Sequence, residues 1–157
     1  MLYIFDLDGT VIDSNHRQNT RPDGSLDLAH WVENNTVEKI LADSLLPLAD
    51  KMRSVRSVKD TVAVITARVI GDADLAFMKR NDLKFDFLYS RAEGNRTPDD
   101  LLKRRAILKL ARKLQRSMHW MRKNVVFFDD NLAVLDIMAS MGIKTINATL
   151  ANERLTA

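Results

Sequence analysis

Three short apolar runs, each opening directly into polar residues, restrict what this chain can fold into. Leu2–Phe5, residues 62–65 and residues 125–128 are continuous apolar stretches of strand length, the pattern of strands covered on both faces. Residues 85–89 and 143–146 are weaker strand candidates. The intervening segments have helical spacing. Pro47 suits a first helical turn after Asp43-Ser44, placing Leu48, Met52 and Val55 on one face. Residues 72–81 predict a short helix. Asp99 or Asp100 is positioned to cap a longer one, with Leu102, Ala106, Leu110 and Leu114 inward and basic residues outward. Residues 131–141 predict another helix, stopped by Gly142. Alternating strand and helix implies an α/β class: a three-layer, Rossmann-like domain with a mainly parallel sheet of about five strands.

At 157 residues, a single domain spanning 1–157 is expected. The chain has no cysteine, which excludes disulfides, thiolate zinc sites and thiol chemistry. Neither a membrane-length apolar stretch nor the features of a secretory leader are evident, so a cytoplasmic protein is the expectation. The net charge of +3 is unevenly distributed. Lys103, Arg104, Arg105, Lys109, Arg112, Lys113, Arg116, Arg122 and Lys123 form a block with no acid between Asp100 and Asp129. Such a block suits an anionic partner, and equally a solvated helix face.

Residues 14–35 resist the alternating scheme. They are polar and rich in turn formers, including Arg21-Pro22-Asp23-Gly24 and Asn34-Asn35. A loop this long directly after the first strand is read as a substrate-facing flap, with a helical insertion extending to about residue 45. His30-Trp31 is expected to pack this flap against the body, with base stacking as the alternative. His119 and Trp120, at the end of the basic helix, are read as core edge.

The chemistry sits at the strand ends. The first strand runs into Asp6-Leu7-Asp8-Gly9-Thr10, and the third strong run ends in Asp129-Asp130-Asn131. Acids at the end of a hydrophobic strand are costly unless compensated, and a hard divalent cation compensates them through oxygen ligands. In an open parallel sheet the carboxyl ends of neighbouring strands face one crevice. The second run ends in Ile65-Thr66-Ala67-Arg68, offering a hydroxyl and an expected helix N-terminus for an anion. Asp13 fits either a turn cap or a substrate contact.

DLDGT at 6–10, ITAR at 65–68 and FFDDN at 127–131 together resemble the haloacid dehalogenase superfamily of phosphatases, in order and placement, over nearly the whole chain. More narrowly, the stretch from Ser90 to Lys103, with Arg91, Gly94, Arg96, Asp99 and Asp100, is similar to the phosphatase domain of phage-type polynucleotide kinase-phosphatases, as is the flap followed by Asp43 and Pro47. A P-loop motif for the kinase half is absent from the sequence.

The resemblance implies a Mg²⁺-dependent phosphomonoesterase with an aspartyl-phosphate intermediate. Asp6 is then the nucleophile and Asp8 the general acid and base. Mg²⁺ is held by Asp6, the Asp8 main-chain carbonyl and Asp129, with Asp130 a direct or indirect ligand. Thr66 and Lys103 bind the transferring oxygens, Ala67 and Thr10 contribute to the same anion site, and Thr10 also orders the Asp8 turn. Lys79, Lys84 and Arg104 compete with Lys103 for the lysine role. Arg68, Arg91 and Arg96 are candidate substrate contacts. The small cap leaves room for a polymer end, so a terminal 3′-phosphate on a polynucleotide is the leading expected substrate. A phosphatase for mononucleotides or small metabolites, and a non-catalytic nucleic-acid or protein-binding module, are the alternatives.

Overall fold

The computed structural model describes residues 1–23, 25–56 and 59–157. Gly24 of the turn-rich stretch therefore lies outside the described residues. Strands β1 (Leu2–Phe5), β4 (Thr61–Ile65), β5 (Phe87–Tyr89), β6 (Val125–Asp129) and β7 (Lys144–Asn147) form a five-stranded sheet in the order β5-β4-β1-β6-β7. Every pairing in it is parallel. The two weaker apolar runs thus become edge strands β5 and β7, and the three strong ones become the centre. This follows from burial, since edge strands tolerate polar positions that central strands do not.

The pleat divides the core into two layers. In β4, Val62 and Val64 face one side while Ala63 and Ile65 face the other. On the first side lie α3 (Leu48–Ser54), α4 (Asp72–Arg80) and α8 (Ala148–Thr156), which bury Leu48, Met52, Phe77 and Ala148. On the second lie α5 (Asp99–Lys113), α6 (Met118–Asn124) and α7 (Leu132–Ser140), which bury Ile107, Leu110, Met121, Val134 and Met138. Phe5 and Phe128 stack across β1 and β6, with ring centroids 4.5 Å apart. No helix among the described residues is long and apolar enough to cross a membrane.

Several local expectations need correction. Pro98, not Asp99 or Asp100, occupies the cap position of α5, and both aspartates lie in its first turn, where they favour the positive end of the helix. The basic block is not one helix. Gln115 adopts a positive φ of 53°, and α6 starts afresh with Ser117 accepting from the Trp120 amide. Residues 14–35 are not a bare loop either. A single 3-10 turn (Asn15–Arg17) is followed by α1 (Leu28–Glu33), and α2 (Val37–Leu41) comes directly after. The chain then pairs β2 (Ile12–Asp13) antiparallel with β3 (Ser44–Leu45), closing the insertion at its root. These helices are one or two turns long, too short to carry a readable apolar period.

Candidate active site

Because β1, β4 and β6 are adjacent and parallel, their carboxyl ends share one edge of the sheet. Phe5 aligns with Val64 on one side and Phe128 on the other, and the Asp6 amide donates to the Phe128 carbonyl at 3.0 Å. Asp6 therefore leaves the sheet beside Asp129. Lys103, on the buried face of α5, reaches the same point. Its Nζ lies 3.0 Å from Asp6 Oδ1 and 2.7 Å from Asp129 Oδ2. Neither Lys79, Lys84 nor Arg104 enters this cluster; all three are exposed. Lys103 is also the exception to the outward-facing basic residues of α5, being 2 % exposed.

Beyond Asp6 the chain reverses tightly. The amides of Thr10, Val11 and Ile12 all converge on the Leu7 carbonyl, and Gly9 takes a φ of +73°. A Cβ at Gly9 would sit 2.2 Å from Asp130 Oδ2, so only a glycine lets this turn and the Asp130 carboxylate occupy neighbouring space. Carboxylate oxygens of Asp6, Asp129 and Asp130 all lie within 4.8 Å of one another. Three carboxylates against one ammonium leave two negative charges, which one divalent cation balances. The all-oxygen donor set suits a hard ion such as Mg²⁺, so the residues fit the cation expected from the sequence.

The electrostatics express the same imbalance. Burial raises the Asp6 carboxyl well above the ordinary carboxylate range; Lys103 opposes this, while Asp129, Asp130 and Asp8 reinforce it. Burial and the Asp129 charge raise Asp130 to about 6. Burial would also push Lys103 towards neutrality, but the Asp6 and Asp129 carboxylates outweigh it and hold the ammonium charged.

Asp8 lies in a different environment. Burial works to raise its carboxyl, but Arg68, Ser14 and Arg17 prevail and hold it below the ordinary range. Arg68 grips it through both Nε, at 3.0 Å, and a terminal guanidinium nitrogen; Ser14 donates to Asp8 Oδ1 at 2.6 Å. The same Arg68 reaches Asp74 at 2.5 Å and Asp43 at 3.5 Å. Asp43 in turn takes two bonds from the buried Arg17, each 2.9 Å, and lies 2.7 Å from His16 Nε2. Trp31 covers this cluster, its ring 4.3 Å from the Arg17 guanidinium carbon and 5.8 Å from that of Arg68. Trp31 thus packs the inserted segment against the body.

The remaining expected residues separate clearly. Thr66 is buried, its Oγ1 accepting from the Arg68 amide at 3.0 Å. The helix expected at residues 66–68 begins only at Asp72, and the Asp74 carboxylate takes the Gly71 amide at its start. The Ala67 carbonyl accepts from Arg91 Nε at 2.9 Å. Arg91 also bonds the carbonyls of Asn95 and Thr97 and the carboxylate of Asp99, bracing the loop before α5. Arg96 is exposed. Asp13 accepts from the Asn15 amide, a turn role. Thr10 is fully buried, and its Oγ1 is the buried side-chain polar atom without a partner among the described residues; its carbonyl accepts from Asn152 at 3.0 Å.

Sequence reasoning missed Arg17, Asp74 and Asn152. Arg17 and Asp43 are 26 residues apart with no periodic relation. For Asp74 a signal existed, an acid three residues after a glycine at a helix start.

A parallel sheet in this order, with paired acids, a threonine and a lysine at its crest, defines the fold of haloacid dehalogenase superfamily hydrolases, and the enzyme class is that of phosphoric monoester hydrolases. The chain belongs to the bacteriophage T5 5′-deoxynucleotidase family, whose model matches residues 1–157. It is 29% identical over 168 residues to the 5′-deoxynucleotidase of Escherichia phage T5, covering 98% of this chain and 69% of that protein. Among solved structures, it resembles a haloacid dehalogenase-like hydrolase from Streptococcus pneumoniae, with TM-score 0.62 and 12% identity, covering 97% of this chain and 90% of that one. It also resembles a chain of the Pnkp1/Rnl/Hen1 complex, with TM-score 0.66 and 19% identity over 94% of this chain. The match spans only 44% of that longer chain.

Proposed function

We propose that this protein is a Mg²⁺-dependent nucleotidase that removes the phosphate of a nucleoside 5′-monophosphate through an aspartyl-phosphate on Asp6. The observation carrying this reading is the meeting of Asp6, Lys103 and Asp129, from three distant stretches, within 3.0 Å of the lysine Nζ. Lys103 is the positive group placed to meet a phosphoryl oxygen, and Thr66 offers its hydroxyl proton to another. Asp6 would attack phosphorus in line with the ester oxygen, and Asp8 would protonate that oxygen as it leaves. Because Arg68 and Ser14 hold Asp8 ionised in the free protein, Asp8 would first take up a proton, from solvent or from the bound phosphomonoester, and pass it to the leaving oxygen. Asp6, Asp129, Asp130 and the Asp8 main-chain carbonyl would hold the cation, which supplies charge neutralisation at phosphorus when bound.

The 5′-nucleotide reading is supported by the name of the phage T5 relative and by the family match over the full 157 residues. The terminal 3′-phosphate of a polynucleotide is the second reading. It is favoured by the basic block, of which every residue except Lys103 is exposed.

The deciding assay sets deoxynucleoside 5′-monophosphates against 3′-phosphorylated oligonucleotides and a generic aryl phosphate, each with Mg²⁺ and with EDTA. Release of phosphate mainly from the mononucleotides, insensitive to salt and abolished by EDTA, is expected. A preference for oligomers that weakens steeply with salt would favour the second reading. Full activity of Asp6→Asn would overturn both.

A further inference from the structure

Two flanks of the phosphate subsite differ in how open they are. Towards Arg68 and Arg17 the space is filled by ion pairs whose arginine side chains are 0–1 % exposed. On the other flank, past Gly9 and Asp130, lies a cavity of about 620 Å³, within the ~300–1,000 Å³ typical of ligand clefts. Its outer walls are Leu46 and Pro47 on one side and Thr149 and Glu153 of α8 on the other. A second cavity at the crest, beside Thr66, measures only about 110 Å³.

Resting on the nucleotidase reading above, we infer that the larger cavity holds the nucleoside of the substrate and that α8 is the specificity element. Leu46 and Pro47 present apolar surface to the face of a base, while Thr149 and Glu153 offer hydrogen-bonding groups to its edge or to the sugar. The wall is firmly anchored. Asn152 donates to the Thr10 carbonyl at 3.0 Å and accepts from the Leu48 amide at 2.9 Å, tying α8 both to the catalytic turn and to α3. Among the described residues no Lys or Arg lines this cavity, whereas Asp130 and Glu153 both do. A nucleoside is accepted there; a second phosphate meets the Glu153 carboxylate, with no cationic side chain in the lining to offset it, and is rejected. The cavity therefore selects mononucleotides over nucleoside bisphosphates and longer chains.

The test uses the full chain with Mg²⁺ and three substrates: a deoxynucleoside 5′-monophosphate, the corresponding 3′,5′-bisphosphate, and acetyl phosphate, whose small leaving group does not reach the cavity. Thr149→Trp, on an exposed helix position, is expected to lower the kcat/KM ratio of mononucleotide to acetyl phosphate at least tenfold. Glu153→Lys is expected to raise the ratio of bisphosphate to monophosphate by about tenfold. Leu150→Trp, on the same helix but outside the lining, leaves both ratios within twofold. Wild-type nucleotidase activity with both ratios unmoved in Thr149→Trp and Glu153→Lys would overturn the cavity assignment alone. Wild-type protein that turns over acetyl phosphate but no nucleotide would overturn the nucleotidase reading and this one with it.

Discussion

Two buried charge clusters lie side by side in this molecule, and they are built on opposite principles. At the crest of the sheet, Asp6, Asp129 and Asp130 crowd a single Lys103, so negative charge is in excess and two of the carboxyls are raised. At the root of the inserted segment, Arg17 and Asp43 form a bidentate pair, Arg68 joins Asp8, Asp74 and Asp43, and Trp31 covers both guanidinium groups. The root satisfies its arginines internally and acts as a scaffold. The crest is left with negative charge in excess, as the proposed binding of a cation requires. A buried ionic cluster marks a ligand site by the charge it fails to balance, not by the number of charges it contains. Arg68 links the two, since it holds Asp8, the proposed acid and base, as well as the carboxylates of Asp74 and Asp43 that fix the fold.

The largest expected effect of breaking this contrast is at the crest. Asp6→Asn should reduce turnover by about 10⁴-fold or more, yet leave the chelated protein as stable as the parent or more so, because it removes one of the mutually repelling carboxylates. Steady-state kinetics and a thermal melt in EDTA measure the two halves; a collapse of stability would mean the crest is structural after all. At the root the pattern reverses. Asp43→Ala strands buried Arg17 and should cost about 3–5 kcal/mol of unfolding free energy, read by urea denaturation. The double change Arg17→Met with Asp43→Leu should recover much of that loss, since an apolar pair needs no desolvation.

The raised carboxyl of Asp130 gives a smaller, pH-dependent effect. Its folded pKa, about 6, lies above its ordinary value of 3.8, so the folded state binds this proton more tightly. Stability of the chelated protein should therefore fall as pH rises from ~4 to ~6 and remain lower above that, by on the order of 1–3 kcal/mol. Asp130→Asn should flatten this slope, and Mg²⁺ should reverse it in the parent; melting curves in EDTA and in Mg²⁺ across that window decide. The smallest effect is at the cover of the root. Trp31→Ala should destabilise by about 1–2 kcal/mol through lost stacking on Arg17 and raise KM more than it lowers kcat, as the inserted segment loosens. An unchanged denaturation midpoint would show that Trp31 contributes no fastening.

Much of the crest was legible in the amino-acid order because strand ends are local objects. An apolar run that stops at Asp6, Thr66 or Asp129 declares both its burial and its final polar residue, and parallel pairing then brings those ends together. Lys103 was found by motif, although its helical face alone grouped it with the solvated basic residues. The root was not legible in this way. Arg17, Asp43 and Asp74 meet through chain reversals between one- or two-turn helices and a two-residue strand pair, none long enough to impose a period. The narrower resemblance matches the likeness in fold to a chain of the Pnkp1/Rnl/Hen1 complex, while the family model that matches is named for a 5′-deoxynucleotidase; in the loop that carried the resemblance, Arg91 braces the approach to α5.

The sequence by itself determined the alternation of strand and helix, the central position of the three strong apolar runs and the polar residues at their ends, because burial and side-chain type are properties of short stretches. Only the tertiary structure decided that Arg68 is shared between Asp8 and the scaffold, that Lys103 is shared between Asp6 and Asp129, and that α8 walls a cavity beside Asp130. Those facts depend on distances between segments up to 142 residues apart, as with Asn152 and Thr10, and such distances are set by packing against a common core rather than by neighbours along the chain.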